Sequence, residues 1–120
     1  MPRSLVVKVT AGAEAPERSN QGLTVAAAGV AAGAPVSLWL TGEATWFAVA
    51  GRDVDLALPH ATPVTDLLAA VLAGGTVTVC SQCAARRDLT EADLVDGVRI
   101  AGAASFVEES LAEGAQALVY

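Results

Sequence analysis

The sequence predicts a single-domain, three-layer α/β/α fold around a five-stranded, mostly parallel sheet. Two observations carry this. Short runs of valine and leucine alternate with longer alanine-rich helical stretches from one end of the chain to the other. Those runs are nearly continuous in apolar residues, as in strands buried on both faces, rather than alternating as in half-exposed ones. The 120 residues suit one domain, 1–120, large enough to bury a core.

The first strand is read over Ser4–Thr10, where Leu5, Val6, Val7 and Val9 are broken only by Lys8. A loop through Gly12 leads to Pro16 and Glu17, a proline and an acid suited to a first helical turn. The stripe Leu23, Val25, Ala26, Ala27, Val30 and Ala31 then carries a helix to Gly33, which stands where a left-handed stop belongs. Val36–Leu40 follows as a second strand. Strand, helix and strand make a βαβ unit, so these two strands should be parallel with a right-handed crossover.

Glu43 to Val49, with Trp46 and Phe47, reads as a short helical turn. Residues 50–61 are ambiguous, because Val54, Leu56 and Leu58 alternate with Asp53, Asp55 and Ala57 and fit either an edge strand or an extended loop. Thr62 and Pro63 open the next helix, with Val64, Leu67, Leu68, Val71 and Leu72 as its apolar stripe and Gly74–Gly75 as its end. Thr76–Val79 is a buried strand closed by Cys80, and a helix begins at about Ser81. Thr90 with Asp93 forms an approximate capping box for a short helix through Val95. A brief strand at Val98–Ile100, a helix over Ala103–Glu113 closed by Gly114, and a last strand at Gln116–Tyr120 complete the chain.

Composition narrows the function. Thirteen acids against seven basic residues, a net charge of −6, argue against nucleic acid as a partner. No apolar run approaches the roughly 20 residues a membrane span requires, and the first residues resemble no signal peptide, so a soluble, cytoplasmic protein is expected. The hydrophobic fraction is 53% with only 17% charged, 26 residues being alanine. That leaves too little polar residue to cover a monomer of this size and favours a homo-oligomer.

The chemistry concentrates in Cys80-Ser81-Gln82-Cys83-Ala84-Ala85-Arg86-Arg87, which holds both cysteines of the chain. Four readings stand side by side. As a nucleophile, Cys80 ends a strand beside the first free N–H groups of a helix, with Arg86 and Arg87 three and four residues after Cys83 to add positive charge. That field favours thiolate over thiol. As a redox pair, Cys80 and Cys83 form a C-x-x-C after a strand, although it is the third clear strand, and the aromatic and proline residues of thioredoxin-like sites are absent. As a zinc site they lack ligands, since only His60 and carboxylates could join them within one chain. As core, Cys80 is a small apolar residue like Val79.

Other residues carry weaker signals. His60, in a Pro-His-Ala loop, has no evident catalytic partner and reads as a solvated bystander. Trp39, Trp46 and Phe47 fit core or interface better than a pocket. The Gly12 loop sits where nucleotide folds bind phosphate, but it has neither G-x-G-x-x-G nor the Lys-Ser/Thr of a P-loop. No cofactor motif is present.

With these residues laid out, the chain resembles the DsrE/DsrF-like family of small sulfur-relay proteins, which includes YchN-like and Tus-type subunits. The resemblance runs through the opening strand, the alanine-rich helix, Val36–Leu40 followed by Thr41-Gly42-Glu43, the Gly74–Gly75 helix end and the closing Ala117–Tyr120. Its most specific part is Val77-Thr78-Val79-Cys80 followed by Ala84-Ala85-Arg86-Arg87. The resemblance implies a persulfide on Cys80, a trimer or hexamer, and donor and acceptor proteins for sulfur. Two departures stand out. Asp88 occupies a position where many relatives have glycine, and Cys83 is a second thiol found in only some of them, available for a transient disulfide with Cys80.

Overall fold

The computed structural model describes residues 3–120. Five strands, β1 (Ser4–Val9), β2 (Val36–Leu40), β3 (Thr76–Cys80), β4 (Arg99–Ala101) and β5 (Ala115–Val119), form one sheet in the order β4-β3-β2-β1-β5. Every pair in it is parallel. The helices are α1 (Pro16–Ala31), α2 (Val64–Gly74), α3 (Ser81–Arg86) and α4 (Ala103–Ser110), with 3₁₀ segments at Gly42–Ala48 and Glu91–Asp93.

The local signals act as expected at several boundaries. Pro16 opens α1. At its far end Gly33 takes φ +86°, its N–H bonds the Val30 carbonyl and the Ala34 N–H bonds the Gly29 carbonyl, which is the paired closure of a Schellman stop. Thr90 and Asp93 form a complete capping box, but it caps one 3₁₀ turn and not a helix reaching Val95. The ambiguous stretch 50–61 is a loop without a strand. Helix α4 stops at Ser110, short of the predicted Glu113, because the chain turns through Ala112, whose carbonyl accepts the Ala115 N–H, to start β5.

Strand order decides which face each helix covers. From β1 to β4 the chain steps in one direction across the sheet, so right-handed crossovers place α1, α2 and the segment containing α3 on one face. The last crossover runs back from β4 past the whole sheet to β5. It therefore lays α4 on the opposite face, alone.

The two faces differ accordingly. Under α1 and α2 lie Val7, Val9, Leu38, Leu40, Val77 and Val79, all buried together with Leu23, Ala26, Leu67, Leu68 and Val71. By register, the opposite face presents the rows Val6–Ser37–Thr76 and Lys8–Trp39–Thr78–Arg99, then Cys80 beside Ala101. There α4 contributes Phe106, edge-on to Trp39 at 5.4 Å between ring centroids. It also contributes Glu109, which accepts hydrogen bonds from the Ser37 hydroxyl, from Trp39 Nε1 at 3.3 Å and from Arg99 Nη2 at 2.7 Å. Arg99 Nε in turn donates to Thr78 Oγ1 at 2.7 Å. A hydrogen-bonded polar layer thus surrounds the buried Trp39 and its partner Phe106 on this side.

Candidate functional site

Cys80 is the last residue of β3 and the residue immediately before α3, with extended backbone at φ −62° and ψ 130°. Its neighbour across the ladder is Ala101, the last residue of β4. The chain leaves β3 toward the α1/α2 face and leaves β4 toward the α4 face. Adjacent parallel strands whose connections diverge in this way open a crevice at their carboxyl ends, and that is where open α/β sheets bind ligands and do chemistry. Cys80 stands at that switch point, half-buried, and it is a free thiol.

The surroundings act on its charge in opposing ways. Burial pushes the Cys80 thiol up, whereas hydrogen bonds from the Cys83 and Gln82 N–H groups, the Cys83 side chain and the charge of Lys8 pull it down. The balance leaves it below the ordinary thiol value. A sulfur so placed is anionic over more of the neutral range than a free cysteine and is available as a nucleophile.

Cys83 lies one helical turn on and is buried. Its Sγ accepts the Gly42 N–H at 3.2 Å, which ties α3 to the start of the 3₁₀ segment. Gly42 holds φ +55°, and a Cβ there would come within 2.6 Å of the Thr10 carbonyl oxygen, so the position requires glycine. The two sulfurs share one site: one faces the crevice and the other is packed beneath it.

The arginines are deployed differently from each other. Arg87 donates from Nη2 to Glu43 Oε2 at 2.7 Å and from Nη1 to the Cys83 carbonyl at 3.1 Å, while its guanidinium lies 5.8 Å from the Trp46 ring. That bond holds the Glu43 carboxyl below the usual carboxylate range. Arg87 is therefore a clamp between α3 and the 3₁₀ segment. Arg86 is exposed and meets Gln82 Oε1 at 3.5 Å. The cation that acts on Cys80 is Lys8, which sequence reading treats only as a polar interruption of β1. Its signal was present, a lone lysine in the most apolar run of the chain, but only the register shows that it shares a face with Cys80.

The remaining candidates lie elsewhere. His60 sits in an exposed turn at φ +65°. The Gly12 N–H is occupied by the carboxylate of Glu14 at 2.6 Å. Trp39 is core, beneath Phe106, and Trp46 is covered by the Arg52 guanidinium at 4.1 Å. Among the described residues no group of three or more His, Cys, Asp or Glu side chains is arranged to hold a metal. Among them, too, no helix is long and apolar enough to cross a membrane. Asp88 adopts φ +55° and closes α3: its N–H bonds the Ala85 carbonyl and the Leu89 N–H bonds the Ala84 carbonyl, again the Schellman pairing.

Comparison with known proteins agrees with this architecture. The model of the DsrE/DsrF-like family matches residues 3–119. Among solved structures, the YchN protein of E. coli superposes with a TM-score of 0.81 at 20% identity, covering all of both chains. A protein of unknown function from Methanobacterium thermoautotrophicum, MTH1491, superposes with a TM-score of 0.68 at 9% identity, again over the full length of both. At these identities the likeness is one of fold. No curated protein matches the chain.

Proposed function

We propose, because this chain belongs to the DsrE/DsrF-like family, that it is a cytoplasmic sulfur carrier whose working group is the Cys80 thiolate. The observation that carries the reading is the position of that thiol: a free, half-buried cysteine at the sheet's switch point, held below the ordinary thiol value by N–H donors and a lysine. In the transfer step the Cys80 thiolate attacks the terminal sulfur of a donor persulfide. The donor's S–S bond breaks, its electron pair leaves on the donor thiolate, and Cys80 carries the S–SH group. An acceptor thiolate attacks that outer sulfur in the same way, returning Cys80 as thiolate, so neither oxidant nor reductant is consumed.

The other site residues have supporting roles in this reading. Cys83 presents its N–H and its thiol to the Cys80 sulfur. Arg87 fixes α3 against the 3₁₀ segment, and exposed Arg86 is available to an anionic donor or acceptor surface. A homotrimer or homohexamer belongs to the same proposal. Val107, Leu111 and Val119, on α4, the turn after it and β5, are 50%, 80% and 62% exposed and give a second copy an apolar surface to cover.

Incubation with a persulfide-charged cysteine desulfurase tests the reading. One sulfur atom should be added to wild type and to Cys83→Ser, and none to Cys80→Ser. Equal labelling of wild type and Cys80→Ser rejects it. The contact between the two thiols favours one second reading, a Cys80–Cys83 redox couple, in which oxidised glutathione would drive a reversible intramolecular disulfide. A non-catalytic binding module of the same fold would show neither behaviour.

A further inference from the structure

The strands carry two cations, and they are treated differently. Arg99 is paired with Glu109 at 2.7 Å. Lys8, half-buried in a central strand, has no carboxylate within ion-pair distance among the described residues. Its ammonium instead lies 4.0 Å from the centroid of the Phe106 ring. A ring face compensates an ammonium only in part, which leaves Lys8 a half-buried cation with no carboxylate paired to it.

The register places a thiol on the same face as this cation. Lys8 shares a row with Trp39 and Thr78, and the next side chain of β3 on the same face is Cys80. The other charged groups around this sulfur are paired or turned to solvent. On β4 and α4, Arg99 and Glu109 neutralise each other; beside α3, Arg87 and Glu43 do the same; Arg86 on α3 is exposed to solvent and meets only Gln82; Cys83 is the remaining titratable neighbour. We propose that Lys8 is the counter-cation of the Cys80 sulfur, held over Phe106 so that it faces the negative charge of the thiolate and of the persulfide formed on it. The inference deepens the reading of Cys80 as the reactive sulfur and does not depend on which group that sulfur transfers. Lys8 is a positioning residue: it acts on charge across the face and forms no bond to the transferred atom.

The test is site-resolved iodoacetamide alkylation of Cys80 against pH in the full chain, for wild type, Lys8→Met and Lys8→Arg, with thermal unfolding of each. Loss of the cation in Lys8→Met should raise the alkylation midpoint by about half a pH unit, roughly a threefold loss of thiolate below the midpoint. Lys8→Arg should restore it, and Lys8→Met should unfold at the same temperature as wild type or higher, since methionine removes a half-buried charge that has no carboxylate partner. An unchanged midpoint in Lys8→Met overturns the proposal, as does a lowered unfolding temperature with an unchanged midpoint, which marks a purely structural lysine. If Lys8→Met does not fold, Lys8→Gln takes its place with the same expectations. Sulfur loading from a persulfide donor is read separately: a shifted midpoint in a protein that never takes up sulfur sinks the carrier reading while leaving the Lys8 assignment intact.

Discussion

The two faces of this sheet are built from the same five strands and solve different problems. The face under α1 and α2 is a continuous layer of valine and leucine with no polar residue among Val7, Val9, Leu38, Leu40, Val77 and Val79. The face under α4 carries Lys8, Ser37, Thr78, Arg99 and Cys80, covered by one helix that has no fully buried residue of its own. The difference follows from connectivity, since three successive crossovers crowd one side and a single long return serves the other. Stability is concentrated on the first face, and charge, hydrogen bonds and the reactive thiol are gathered on the second.

That division can be broken or sharpened by substitution. The largest effect is expected from Leu38→Ala, which opens a cavity in the apolar layer and should cost about 3 kcal/mol in urea denaturation. Gly42→Ala comes next, at about 2 kcal/mol, because the new Cβ meets both the positive φ and the Thr10 carbonyl. Its alkylation profile should also change, since the Gly42 N–H holds the Cys83 sulfur. Glu109→Gln removes the charge at the centre of the polar layer. With that carboxylate partly exposed, a loss of about 1 kcal/mol is expected, well below Leu38→Ala; a larger loss would mean that the polar face holds the fold as firmly as the apolar one. Asp88→Gly should stabilise by roughly 0.5–1 kcal/mol, since glycine takes the left-handed position without the penalty of a side chain.

Much of this was legible in the sequence because it is local. Buried strands announce themselves as valine runs, and Pro16, Gly33 and the Thr90–Asp93 box mark helical starts and stops through backbone chemistry that needs no distant partner. Cys80 at a strand end is visible in the same way. What was not legible is what depends on strand order. Lys8 and Cys80 are far apart in sequence, and nothing in either segment says that β1 and β3 flank β2 with those two side chains on one face. The arginines show the reverse case: spacing placed both near the cysteines, but only Arg87 finds a partner across the fold, Glu43, and becomes a clamp. Asp88, singled out by the family resemblance as a departure from glycine, adopts the left-handed conformation that favours glycine.

The pH dependence follows from the lowered Cys80 thiol. Its anion is favoured in the folded state, so its contribution to stability is complete above the unfolded thiol value and is lost as pH falls through the lower folded value. In reactivity the same shift keeps Cys80 nucleophilic at a pH where an ordinary thiol is protonated. The most direct test is therefore the rate of iodoacetamide alkylation of each cysteine in the native wild-type protein, resolved by peptide mapping across pH. Cys80 should react at neutral pH with a midpoint below that of free cysteine while buried Cys83 stays silent. Two equally slow cysteines, or a Cys80 midpoint at or above the free value, would contradict the placement of the chemistry at the end of β3.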